Sequence, residues 1–353
     1  MNLRYIVPAL GILISTSGAL FAENVGGLTV GGFVDTTGTI QDINDDPAAS
    51  SEAVNKFFAA TVELRLGYKI GDKVTAQVDM EWNNDNSATN TNLEQAYVNW
   101  ALTNTVSLTT GKFTSYSGWE SADADGLYRV NHSPIFNALY TDDVIGVAVN
   151  FQPTADLGVS VFVLNGLFDE AFNNPDNSLQ ALAVDAVYKV KDVGSFNAEF
   201  GFDAPTPDQT LYALGLNATI KLASYQPLTV GAEFILNGFK DDAANTDGKA
   251  LGFMVMGNHT LPTSKIMSFP SSVTGMITLL SADAESGVDL GAGTSATNDS
   301  NSSEIAVALL TNPTNDSHFG VNAELAYQVV SQDNLNDDIT SILFALELIA
   351  VIP

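Results

Sequence analysis

From Phe58 to Trp82 apolar and polar residues alternate almost without interruption. Phe58, Ala60, Val62, Leu64, Leu66, Tyr68 and Ile70 fall on one parity, and Ala59, Thr61, Glu63, Arg65, Gly67 and Lys69 on the other. After Gly71-Asp72 the pattern restarts, with Val74, Ala76, Val78, Met80 and Trp82 set against Thr75, Gln77, Asp79 and Glu81. Side chains of a strand point alternately to opposite faces, so this segment reads as a hairpin with one apolar and one ionic face. Strands of soluble sandwiches are usually about five or six residues long. These run to roughly ten or more, the length that crosses a bilayer when tilted. The pattern predicts an all-β fold, a transmembrane antiparallel β-barrel.

The same reading along the chain gives about sixteen strands, an even number as in bacterial barrels. The first starts at Leu28 and the last at Ile339. Short connections at Gly71-Asp72, Thr103-Asn104, Pro153 to Asp156, Lys191 to Gly194, Ala223 to Pro227 and Asn312 to Asp316 alternate with long ones. The long ones are Gln41 to Asn55, Asn83 to Asn92, Thr114 to Asp143, Gly166 to Ser178, Gly238 to Gly248 and Ala282 to Ser302. Short periplasmic turns and long external loops are the habit of such barrels, which puts both termini in the periplasm. The turn Thr260 to Pro270 is long for its side and leaves about fourteen or eighteen strands as alternatives.

The amino terminus reads as a secretory leader over residues 1–22. Arg4 supplies the positive start, Tyr5 to Ile14 the apolar stretch, and Ser17, Gly18 and Ala19 the small residues, with cleavage after Ala19 or Ala22. The mature barrel then occupies residues 23–353. Cysteine is absent, and a closed barrel needs no such staple because closure pairs every edge. The net charge of −28 argues against nucleic acid, whose phosphates require Lys and Arg. Many carboxylates gather in Asn/Asp-rich connections, pointing to a hydrated outer surface with weak affinity for divalent cations.

A further group of signals lies between Leu93 and Phe151. The strand Glu94-Gln95-Ala96-Tyr97-Val98-Asn99-Trp100, the strand end Thr110-Gly111-Lys112-Phe113 and the following Gly118-Trp119-Glu120 come in order. An aromatic and polar loop, Leu127-Tyr128-Arg129-Val130-Asn131-His132-Ser133-Pro134-Ile135-Phe136, then returns into Ile145-Gly146-Val147-Ala148-Val149-Asn150-Phe151. The next strand ends in Leu164-Asn165-Gly166. This succession resembles the outer-membrane β-barrel porins of the OmpL-like type. The resemblance implies a pore in the outer membrane of a Gram-negative-type bacterium, in contact with its lipid and passing small hydrophilic solutes. Many porins of this size are homotrimers, although no trimer face is legible. The chain departs from such barrels at its end, Val351-Ile352-Pro353, where an aromatic residue is usual; Phe344 lies well before it.

On the polar parity the lumen collects Glu63, Asp79, Glu81, Asp185, Glu199, Glu233, Glu304, Glu324 and Glu347, against Arg65, Lys69, Lys189 and Lys221. Rings of one charge sign set the sign of ions a pore admits, so the wall predicts a cation-preferring channel. Pairing on a wetted wall, Glu63 with Arg65 and Asp185 with Lys189, is the competing account. The longest connection, Thr114 to Asp143, is the candidate constriction, with Tyr128, Arg129 and His132 as its functional residues. Folded inward, it sets Arg129 opposite acidic wall residues, with a transverse field between them; a loop covering the mouth is the alternative. Lys112 breaks strand parity, implying a bulge or a place near the headgroups.

Enzymatic signals are thin. His132, His259 and His318 lack metal-ligand spacing, and the neighbours His132-Ser133 are poorly placed for nucleophilic work. Asp123-Ala124-Asp125-Gly126 matches the opening of a calcium loop but lacks its later Glu ligand. No cofactor, metal site or enzymatic activity is expected. The sequence reads as a porin for passive diffusion; the alternative is a structural or adhesive surface protein whose barrel anchors acidic loops.

Overall fold

The computed structural model describes residues 27–44, 52–85, 88–121, 123–141, 143–168, 181–222, 228–243, 246–263, 269–283, 299–313, 318–333 and 338–352. The predicted leader and the terminal Pro353 lie outside the described residues. Sixteen strands form one closed antiparallel barrel, each hydrogen-bonded to its neighbours in chain order. They are β1 (Leu28–Asn44), β2 (Glu52–Ile70), β3 (Val74–Asp85), β4 (Ala88–Ala101), β5 (Val106–Thr114), β6 (Asp143–Phe151), β7 (Leu157–Leu164) and β8 (Ala181–Val190). The second half comprises β9 (Gly194–Thr206), β10 (Gln209–Leu222), β11 (Leu228–Asp241), β12 (Thr246–Leu261), β13 (Ser271–Ala282), β14 (Ser300–Thr311), β15 (Phe319–Gln332) and β16 (Ile339–Ile352). β16 closes the barrel on β1, from Gly32↔Ile352 to Asn44↔Thr340. Closure leaves no strand edge unpaired, which is what a sheet in lipid requires. Among the described residues no helix is long and apolar enough to cross a membrane.

The period-two pattern becomes the inside–outside division. Val62, Val78, Trp100, Ile305, Leu325 and Leu346 are exposed on the outer face, and Phe58 keeps 80% of its surface. Glu63, Asp79, Glu199, Glu233, Glu324 and Glu347, on the opposite parity, are buried. An exposed apolar band over buried carboxylates inverts the usual soluble arrangement and fits a barrel bathed in lipid.

Two expectations need correction. Several connections read as long loops are strand: β1 and β2 pair as far as Asn44↔Glu52, β3 and β4 as far as Asp85↔Ala88, and β11 and β12 as far as Asp241↔Thr246. Asn/Asp-rich stretches suggest turns by composition, but ladder pairing with an ordered neighbour overrides that preference. Of the two accounts offered for Lys112, a bulge or a place near the headgroups, the bulge is ruled out. β5 pairs β4 and β6 without a shift, whereas the β3–β4 register jumps from Asp79↔Gln95 to Met80↔Leu93, leaving Glu94 as the extra residue. Lys112 is buried and pairs with Asp143 at 3.4 Å.

Candidate functional site

The connection between β5 and β6 folds into the barrel. It is anchored on those two strands yet contacts β2, β9, β10, β11, β13, β14 and β15, which only a path across the interior allows. Its α-helix, α1 (Pro134–Leu139), starts at Ser133, whose hydroxyl accepts from Phe136 N at 3.2 Å, with Pro134 following the cap. Ser before Pro is a strong helix start, since the cap supplies an acceptor and proline needs no donor there. Ile135 and Leu139 of α1 pack with Ile235, Met254, Met256, Met276 and Leu280 of the wall, an apolar cluster inside the barrel. A second interior cluster joins Phe113, Tyr116, Val144, Phe162, Leu164 and Leu167.

Wall carboxylates pin the loop backbone. Glu199 accepts from Gly118 N at 3.0 Å, and Glu233 from Trp119 N at 2.8 Å and from the Tyr140 hydroxyl. Glu324 takes Val130 N at 2.8 Å and Asn131 N at 3.1 Å, together with Arg129 Nη2 at 2.7 Å. Arg129 also donates to Glu304. The bonds from Gly118, Trp119, Val130 and Asn131 satisfy backbone donors inside the barrel, and leaving such a donor buried without a partner costs roughly 1–3 kcal/mol. The wall is cut to receive the loop: a Cβ on Gly231 would sit 2.5 Å from the Trp119 ring, and Trp119 Nε1 donates to Thr219 Oγ1 at 2.7 Å. Gly118 has φ of +97°, the left-handed region that favours glycine, and it lies under the Tyr140 ring.

The candidate constriction residues take distinct places. Arg129 is 3% exposed and forms ion pairs with both Glu304 and Glu324. Burial alone would make its proton easier to lose, but Glu304 and Glu324 more than reverse this and hold the guanidinium charged. Tyr128 stacks on Trp119 with ring centres 5.4 Å apart. His132 stacks on Phe136 at 3.7 Å, and its Nε2 lies 3.1 Å from Ser121 O. Ser133 is fully buried and occupied as a helix cap, a structural task rather than a nucleophile's.

The wall residues divide. Glu63 pairs with Arg65, and Arg65 reaches on to Asp123 at 2.8 Å and Asp125 at 2.9 Å in the loop. Asp79 is fully buried and accepts from Gln77 at 2.6 Å; Glu81 and Asp185 are half-buried. No Asp185–Lys189 pair occurs among the described ion pairs, and Lys69, Lys189 and Lys221 are exposed near the short-turn end. Glu347 is fully buried and accepts from Asn322. Sequence reasoning missed Trp119, Glu120 and Tyr140 as anchors. Within the loop, burial pushes the Glu120 carboxyl up to about 7, partly offset by bonds from Ser133, and raises Asp123 against the pull of Arg65. Burial, with Glu233 and Glu120 nearby, raises the Tyr140 phenol well above its ordinary value. Two cavities, of about 400 Å³ and 340 Å³, lie towards the short-turn end, and only the second touches the loop. The first is lined by Ser107, Asn150 and Ser160, the second by Asp125, Leu127 and Asn322.

A closed sixteen-strand barrel with an inward-folded loop between its fifth and sixth strands defines the porin class. The family model described as "Putative beta-barrel porin-2, OmpL-like" matches residues 27–234, and the chain belongs to this family. Membership places the barrel in the outer membrane of Gram-negative bacteria. Solved structures agree on the fold. The outer membrane channel DcaP of Acinetobacter baumannii superposes with a TM-score of 0.65 at 14% identity, over 92% of this chain and 96% of its own. The anion-selective porin of Comamonas acidovorans gives 0.59 at 13%, over 91% and 99%. OmpT of Vibrio cholerae, in its trimer form, gives 0.55 at 10%, over 92% and 99%. A comparison with curated protein sequences returns no match.

Proposed function

We propose that this porin is a cation-preferring channel for passive diffusion of small hydrophilic solutes. The observation that carries the reading is the placement of charge. Arg129, the cation in the loop that could have favoured anions, is buried between two carboxylates. Arg65, on β2 and separated from β15 by β1 and β16, shares the interior with Glu63, Asp79, Glu81, Asp123 and Asp125. Low-dielectric walls focus such a field and raise the local concentration of cations. On this reading Glu63, Arg65, Asp79, Glu81 and Asp185 border the path, while Glu199, Glu233 and Glu324 hold the loop that narrows it. The acid-rich connections bind divalent cations weakly, and the chain assembles as a homotrimer, in keeping with the trimer form of the Vibrio protein.

Insertion of the purified protein into planar bilayers tests the reading. Stepwise conductance is the expected result. Silence from protein that shows heat-modifiable migration on gels, and is therefore folded, would favour the anchoring alternative.

A further inference from the structure

We propose that the corner where the loop tip meets β2–β4 is a binding site for one hard divalent cation, with Glu63, Glu94 and Asp123 as its carboxylate ligands. One oxygen from each of these residues lies within 4.8 Å of the others. Oxygens spaced in this way can share an ion held at about 2.3–2.6 Å from each, the calcium range. All the ligating atoms are oxygens, which favours calcium or magnesium over softer metals.

Two independent features point to a ligand here. The first is the β-bulge on β4. The register passes from Asp79↔Gln95 to Met80↔Leu93, so Glu94 is the inserted residue, and its carboxylate reaches the interior group formed by Glu63 and Asp123. Bulges re-aim a side chain at the cost of local pairing, and this one turns an acid towards two others. The second is Asp79, fully buried beside the bulge and opposite Arg65 in the β2–β3 ladder. Its Oδ2 accepts from Gln77, but its Oδ1 is buried with no hydrogen-bond partner. Its cross-strand neighbour Arg65 is the residue that bonds both Glu63 and Asp123.

The balance of charge points the same way. Glu63, Asp79, Glu81, Glu94, Asp123 and Asp125 meet at this corner, and Arg65 pairs with three of them. Buried charges are retained where they are paired or coordinate a metal. A divalent ion offsets part of that surplus and ties the loop, through Asp123, to two strands of the wall.

Calorimetric titration of the EDTA-treated, detergent-folded full chain with calcium chloride, and separately with magnesium chloride, tests the site without requiring conduction. One saturable site per chain is expected for at least one of the two ions. Glu94→Gln and Asp123→Asn should each weaken it roughly tenfold or more, while Asp208→Asn, at the distant β9–β10 turn, leaves it unchanged. Gel migration verifies that each variant is folded; should Glu94→Gln not fold, Asp123→Asn, on the loop, decides the question. Absence of saturable binding by the wild type, or wild-type affinity in the folded variants, would overturn the proposal.

Discussion

Two stretches of the interior wall are equally acidic by sequence and opposite in what their acids do. On β9, β11, β14 and β15, the carboxylates of Glu199, Glu233, Glu304 and Glu324 meet loop N–H groups, the Tyr140 hydroxyl and the Arg129 guanidinium. On β2–β4, Glu63, Asp79, Glu81 and Glu94 have Arg65 as the nearby guanidinium, shared with two loop aspartates. The first stretch uses its charge to hold a loop; the second keeps a surplus. A count of acids on lumen parity therefore overstates the charge available to a passing ion, and the donors around each acid decide which carboxylates matter.

Removing the cation on each side breaks the comparison most directly. Arg129→Met leaves two buried carboxylates facing each other and should cost about 3–5 kcal/mol of loop docking, seen as lost hydrogen-exchange protection over residues 118–140. Arg65→Met, at a side chain that is one-quarter exposed, should cost only about 0–1 kcal/mol by the same readout. Equal losses would mean that the walls are not distinct. The strand β2 offers a second contrast between its two faces. Leu64→Arg on the outer face should destabilise by roughly 2–4 kcal/mol if it lies near the bilayer midplane, measured as the denaturant midpoint of folding into vesicles. Glu63→Gln, one residue away on the inner face, should be far milder.

A smaller effect is a pH dependence of loop docking set by Glu120. Burial raises its pKa from 4.5 to about 7 in the docked loop. The docked state therefore binds more protons than the released one between these values, and docking weakens as pH rises through that window. Its contribution is fully present below about 4.5 and lost above about 7. Hydrogen exchange of the loop at pH 5 and 8 should show faster opening at the higher value, and Glu120→Gln should flatten the difference. Slower opening at pH 8 would contradict the assignment.

Much of the barrel was legible because strands spanning lipid alternate strictly, as β2 and β3 do from Phe58 to Trp82. Strand ends were less legible. Asn44, Asp85 and Asp241 belong to types that favour turns, and only pairing with a neighbour makes them strand. The inward loop was legible from its length and aromatic content, but its anchors were not. Nothing local marks Glu324 as the acceptor for Arg129, since the two are 195 residues apart. Gly118 and the Ser133-Pro134 pair were the available local signs of an ordered loop. The bulge at Glu94 was invisible because one inserted residue barely disturbs an alternating pattern. Lys112, which did disturb it, belongs to a strand paired without a shift.

On the proposed reading, the surplus acids of the β2–β4 corner, rather than Arg129, set the sign of the pore's field. The zero-current potential of single channels across a potassium chloride gradient measures that sign. The wild type should show cation preference, declining as salt rises because screening shortens to about 10 Å at 0.1 M. Glu81→Gln should reduce the preference without changing its sign. Anion preference in the wild type, or a preference untouched by Glu81→Gln, would contradict this account of the field.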